Sequence, residues 1–151
     1  LEAMAKRVHE VAGWHTELYV DSTELSGLKA ILDSLPALSI DHLGVSYAGF
    51  PDLLRLAETG AKVKASGFGR VDFDVAKALR DLYSANPASL MFGTDLPSTR
   101  AARPYSESDL QLLIDTLGDI GAQRVLYQNA VEFYRSGVQL AAHQEKRASG
   151  H

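Results

Sequence analysis

Leu90-Met91-Phe92-Gly93-Thr94-Asp95-Leu96-Pro97 runs from three apolar residues into a glycine, a carboxylate and a proline. The apolar triplet predicts a short buried strand. Gly93 frees the backbone to turn, and Pro97 keeps a helix from starting at once. An earlier stretch repeats the form: the apolar run over 37–44 closes in Ile40-Asp41-His42-Leu43-Gly44. Strands that end in ionisable side chains point to an α/β fold, in which ligands sit at the carboxyl ends of a parallel sheet.

Working outward, Leu1, Met4, Val8 and Val11 are spaced as one helix face, with Gly13 as its stop. That helix starts without a capping residue, as if the chain began inside a larger fold. A strand is predicted over 15–20 and a helix over 22–35, ended by Pro36. After the strand over 37–44, Leu53, Leu54, Leu56 and Ala57 mark a helix closed by Gly60. A strand over 61–66 leads into the turn Gly67-Phe68-Gly69. Residues 75–83 read as a helix closed by Asn86-Pro87, and 90–92 as the fourth strand. A helix over 106–117 opens with the capping-box pair Ser106 and Asp109 and is broken by Gly118 and Gly121. Residues 124–134 are helical again, and 143–151 form a polar tail after a domain that spans 1–142.

Four strand–helix repeats need crossover connections and so predict a parallel sheet. The strands read as short and apolar throughout, as in a sheet buried on both faces. They recur every ~25–30 residues, the period of a (β/α)8 barrel. A flavodoxin-like sheet shows the same alternation, and periodicity alone does not separate the two. A flavodoxin-like domain would place a phosphate-binding turn after its first strand. Here that turn is Asp21-Ser22-Thr23-Glu24, whose acidity disfavours phosphate.

The bulk numbers narrow the function classes. With 151 residues, 46% hydrophobic and 23% charged, the chain can bury a real core. A net charge of −4 with no basic face disfavours a nucleic-acid partner. Without cysteine there is no disulfide scaffold and no thiolate metal site. No window reaches the ~18 apolar residues of a membrane span, and the first residues carry no signal-peptide pattern. The expected location is cytoplasmic.

At the strand ends stand the candidates. Asp95 can act as a general base or bind a divalent metal, although a loop Asp also caps turns. His42 can polarise a carbonyl, move a proton or ligate a metal. A lone buried His is more often bonded to a backbone carbonyl. Asp41 alternates with His42 along the strand and is expected to meet a neighbouring helix. Arg70, after Gly67-Phe68-Gly69, can clamp a carboxylate with two hydrogen bonds, or simply be solvated. Tyr19 can bring a hydroxyl, or pack. His15 and Glu17 share its parity but lie nearer the strand's start. His9, His143 and His151 are given no role. Ser66-Gly67-Phe68-Gly69 lacks the Lys-Ser/Thr of a phosphate loop.

Taken together, Ile40-Asp41-His42-Leu43-Gly44, Val63-Lys64-Ala65-Ser66-Gly67, Met91 to Pro97, and Asn129-Ala130 with Phe133-Tyr134 resemble successive blocks of the amidohydrolase-2 family. The resemblance runs from about Leu1 to Tyr134 and is closest in pattern to 2-pyrone-4,6-dicarboxylate lactonase-like hydrolases. It implies an α/β chain that forms the C-terminal half, strands five to eight, of a (β/α)8 TIM barrel. It also implies active-site roles for His42 and Asp95, with Tyr19 and Arg70 as substrate-binding residues. The family's first-strand His-x-His pair is absent from the sequence.

The function so implied is a hydrolase that opens a lactone or cyclic ester of a small carboxylated substrate. The cofactor is Zn2+ or none, held by His42 and Asp95 if a metal is bound. A metal-dependent decarboxylase of the same superfamily and a non-catalytic, self-associating half-barrel are the alternatives. Half a barrel leaves two open sheet edges. The expected partner is therefore the missing half-barrel or another copy of the chain, and the isolated chain is expected to be inactive.

Overall fold

The computed structural model describes residues 2–135. The tail over 143–151, with His143 and His151, lies outside the described residues, as does the end of the 1–142 span.

The chain opens with α1 (Glu2–Ala12), which Gly13 stops by taking φ +66° and donating its N–H to the His9 carbonyl at 2.8 Å. Then come β1 (Thr16–Leu18), α2 (Leu25–Ser34), β2 (Leu38–Ile40), α3 (Phe50–Glu58), β3 (Lys62–Ala65), α4 (Val75–Ala85), β4 (Leu90–Phe92) and α5 (Glu107–Gln123). Capping follows the side-chain chemistry. Asp74 accepts a hydrogen bond from the Lys77 backbone N–H at 2.9 Å to start α4. Ser106 and Asp109 form the expected capping box at α5. Gly118, at φ +66° and ψ 174°, breaks α5 as expected. Gly121 does not. It lies inside the helix, buried, where an added Cβ would come within 2.9 Å of Leu117 Cβ and 3.4 Å of the Tyr83 ring. There glycine serves a close approach and not a stop.

The four strands pair in parallel in the order β1-β2-β3-β4. Each strand lies beside its predecessor with no reversal. A doubly wound sheet of the flavodoxin type reverses after its first strand, so this order is that of a barrel segment.

By register, Leu18, Ile40, Val63 and Leu90 share one face. Ile40, Val63 and Leu90 are fully buried there, in a core completed by Leu53, Leu56, Leu79, Leu82 and Leu113 of the helices. The other face departs from the sequence expectation. Glu17, Ser39 and Lys62 stand side by side on it, as do Lys64 and Met91. The strands are therefore apolar toward the helices and largely polar on the opposite face. With four residues or fewer per strand, two or three apolar positions are enough to make a run look continuous. α1 buries no residue, and Met4 and Val11 are exposed. Among the described residues, no helix is long and apolar enough to cross a membrane.

One residue ties the chain's end to the sheet. Asn129 is fully buried, and its Nδ2 donates to the carbonyls of Pro87 and Leu90, both at 2.8 Å. It thereby anchors the last helical segment to the start of β4.

Candidate active site

His42, Arg70 and Asp95 leave their strands by turns that side-chain alternation does not anticipate. After Asp41, still extended at φ −77° and ψ 151°, the backbone enters the left-handed region at His42 (φ 50°), Leu43 (φ 53°), Gly44 (φ 72°) and Val45 (φ 64°). For non-glycine residues such angles are uncommon and cost of order 1–3 kcal/mol each, so the surrounding structure must hold them. Leu43 and Gly44, both buried, supply that hold. After β4 the chain does the same at Asp95 (φ 60°), before the cis Leu96–Pro97 bond.

These turns bring the four sequence candidates together. His42 Nε2 lies 3.7 Å from Asp95 Oδ1, with their side chains 13% and 14% exposed. The Tyr19 ring meets the His42 ring edge-on at 5.4 Å between centroids. Arg70 donates from Nε to Asp95 Oδ2 at 2.6 Å and from Nη2 to Asp95 Oδ1 at 3.2 Å. Its Nη2 also reaches the Thr99 carbonyl at 3.1 Å. Arg70 is thus neither solvated nor open, because its fork is already filled by Asp95. That pairing raises the Arg70 pKa and keeps the guanidinium charged. For His42 the largest influence is burial, which lowers its pKa. The Asp95 and Asp41 carboxylates oppose this without cancelling it, so the ring is neutral at pH 7.

Two neighbours had been given no role from the sequence. Ser66 Oγ lies 2.9 Å from His42 Nδ1. Gly67, at φ +61°, lets the His42 ring rest against the backbone. Ser66's place at the end of β3 was the available signal.

Asp41 is a correction. Its ionic partner stands on a strand and not on a helix: Oδ1 lies 3.1 Å from Lys64 Nζ of β3, and among the described residues that oxygen makes no hydrogen bond. Lys64 also pairs with Glu17 at 2.6 Å. Burial alone would lower the Lys64 pKa, but the two carboxylates outweigh it and raise it. The cation that Asp41 meets stands on the sheet's polar face.

His42 and Asp95 do not by themselves fit a metal. A zinc site takes three or more protein ligands. Among the described residues, no three His, Cys, Asp or Glu side chains converge. The Arg70 guanidinium also occupies both oxygens of Asp95. A metal here would need ligands from outside the described residues. A small hollow lined in part by Ser66, Gly67, Thr94 and Arg103 adjoins the cluster. A larger one, by Pro36, Ala37, Gly60 and Ala61, opens where β2 and β3 begin and carries none of these groups.

Residues 6–136 match the family model for amidohydrolases. Among solved structures, an apo protein from Agrobacterium tumefaciens superposes with a TM-score of 0.71 at 21% identity, over 88% of this chain and 54% of that one. A Pseudomonas putida protein provisionally named a 2-pyrone-4,6-dicarboxylic acid hydrolase gives 0.69 at 22% identity, over 89% and 55%. Amidohydrolase 2 from Bifidobacterium longum subsp. infantis gives 0.67 at 25%, over 85% and 52%. The chain thus spans slightly more than half the length of each. No curated protein matches it significantly.

Proposed function

The chain belongs to the amidohydrolase family, and from that premise we propose that it carries half of a hydrolase active site that opens a lactone or similar cyclic ester of a small carboxylated substrate. The observation that carries this reading is the approach of His42 Nε2 to within 3.7 Å of Asp95 Oδ1 at the carboxyl ends of parallel strands. A water molecule and the carbonyl it attacks can both lie within hydrogen-bond reach of that pair.

In this mechanism Asp95 takes the proton of the attacking water as the water's oxygen bonds to the carbonyl carbon, and returns that proton to the ring oxygen when the acyl C–O bond of the ring breaks. The neutral His42 polarises the carbonyl and stabilises the charge that gathers on its oxygen. Tyr19 presents its hydroxyl to a ring oxygen or carboxylate of the substrate. Arg70 has two uses that compete. Its fork holds Asp95 now, and a substrate carboxylate offers the same bidentate geometry. Substrate that takes the fork releases Asp95 to act as a base, so binding and activation are coupled.

Family members are typically metal-dependent, but the mechanism above uses only this chain's side chains. The remaining site groups would come from a second half-barrel, either further chain or another copy. Among the described residues the outer edges of β1 and β4 have no strand partner and α1 buries no residue, which supports that assignment. The isolated chain is then expected to turn over little substrate.

The test is hydrolysis of a panel of carboxylated lactones by the complete protein. 2-Pyrone-4,6-dicarboxylic acid, the compound named for the Pseudomonas putida relative, comes first, and released CO2 is measured alongside. Ring opening that Asp95→Asn abolishes is expected. Full turnover by Asp95→Asn sinks the base assignment, and CO2 release without ring opening sinks the reaction class.

A further inference from the structure

Ser66 is 4% exposed, and its only side-chain hydrogen bond among the described residues is to His42 Nδ1, at 2.9 Å. On the other side of the imidazole, Nε2 faces Asp95 Oδ1 at 3.7 Å. Beneath the ring lies Gly67, where an added Cβ would come within 2.7 Å of Nδ1 and 3.0 Å of Cγ. The ring is therefore bounded by Ser66, Asp95 and the Gly67 backbone.

We propose that Ser66 donates its hydroxyl proton to Nδ1 of His42 and so holds the neutral ring with its own proton on Nε2. Two observations carry this independently. An ionised carboxylate only accepts hydrogen bonds, so a bare Nε2 lone pair would face the Asp95 oxygen unfavourably, whereas Nε2–H faces it favourably. If Nδ1 held the proton instead, Ser66 would accept it. Among the described residues the buried hydroxyl would then have no acceptor for its own proton, which is unfavourable. Ser66 is thus a positioning residue. It acts through His42 and turns that side chain into a hydrogen-bond donor at the strand ends. That Nε2–H polarises a substrate carbonyl rests on the hydrolase reading above. The tautomer itself does not.

The experiment is nitrogen-15 NMR of the full chain labelled at histidine, at about pH 8.5, where the free imidazole of pKa near 6.5 is neutral. The His42 signals are identified by their loss in His42→Gln. Nitrogen shifts and one-bond proton couplings then show which ring nitrogen carries the proton. Wild type is expected to show Nε2–H alone, Ser66→Ala a mixture of the two tautomers, and Ser66→Thr the wild-type pattern. A wild-type ring protonated on Nδ1 overturns the proposal, as does a Ser66→Ala spectrum identical to wild type. In the complete protein, Ser66→Ala is expected to lower kcat roughly tenfold with KM unchanged, the effect of one lost hydrogen bond in the transition state. A tautomer that shifts as expected without any change in turnover supports the Ser66 assignment and counts against the hydrolase role of His42.

Discussion

A double-mutant cycle on Arg70 and Asp95 decides whether their pairing is a strong bond or an incidental contact. The variants are Arg70→Met, Asp95→Asn and the two combined. Asn accepts the left-handed φ of 60° at position 95 about as readily as Asp, so that substitution adds little backbone strain. The wild-type pair makes two charge-assisted hydrogen bonds, at 2.6 and 3.2 Å, between side chains only 15% and 14% exposed. Bonds to charged groups contribute about 1.5–3 kcal/mol each. Breaking a buried pair from one side costs about 3–5 kcal/mol, less where solvent still reaches it. In Asp95→Asn the guanidinium keeps the Thr99 carbonyl; in Arg70→Met the carboxylate keeps only the distant His42. We expect each single variant to lose about 2–3 kcal/mol. The double variant should lose little more than either single, giving a coupling near 2 kcal/mol. Urea denaturation of all four proteins measures this. A coupling below about 0.5 kcal/mol, the additivity limit for independent sites, would refute the reasoning. Arg70 would then be free to clamp substrate without first releasing Asp95.

Three further outcomes follow from the same geometry. Asn129→Ala removes both buried bonds to the Pro87 and Leu90 carbonyls and should cost about 2–3 kcal/mol, read as a drop in urea midpoint. The partial offset is that Asn129 Oδ1 is itself buried without a partner. Gly67→Ala meets His42 at 2.7 Å from a left-handed backbone, so its melting temperature should fall and its His42 tautomer should become mixed. The His42 pKa is lowered on folding, so the unfolded chain binds the proton more readily. Its contribution to stability is complete above about pH 6.5 and is lost as pH falls through the folded value. Denaturation at a series of pH values should show a shallower loss below neutrality for His42→Gln than for wild type. Equal slopes would refute it.

What could be read from the sequence was whatever the chain encodes locally. Helix periodicity, the stops at Gly13 and Gly60 and the Ser106–Asp109 box each depend on a few adjacent residues, and each holds in the fold. The strand ends pointed to His42 and Asp95 because ionisable groups stood where an apolar layer is expected; Tyr19 and Arg70, read by position as packing and solvated, were added by the resemblance to the family. Their mutual arrangement was hidden. Arg70 and Asp95 are 25 residues apart, and nothing in either segment says that one fills the other's hydrogen bonds. Alternation failed at Asp41 and His42 because it assumes an extended backbone, and the chain leaves that region at His42. Gly121 was misread because a glycine that admits a neighbour looks, in sequence, like one that ends a helix.

The face of the sheet turned away from the helices sets a condition on whatever closes over it. Among the described residues Ser39 Oγ and Asp41 Oδ1 lie buried there without hydrogen bonds, Asp41 held by its ionic contact with the Lys64 that also pairs with Glu17. A second half-barrel with a purely aliphatic lining would strand those groups, at several kcal/mol for the charged ones. One that brings a donor to Asp41 and a polar partner to Ser39 would complete them. Recombining this chain with half-barrels from its relatives should therefore sort the chimeras by the polarity of the incoming interior before their shape matters.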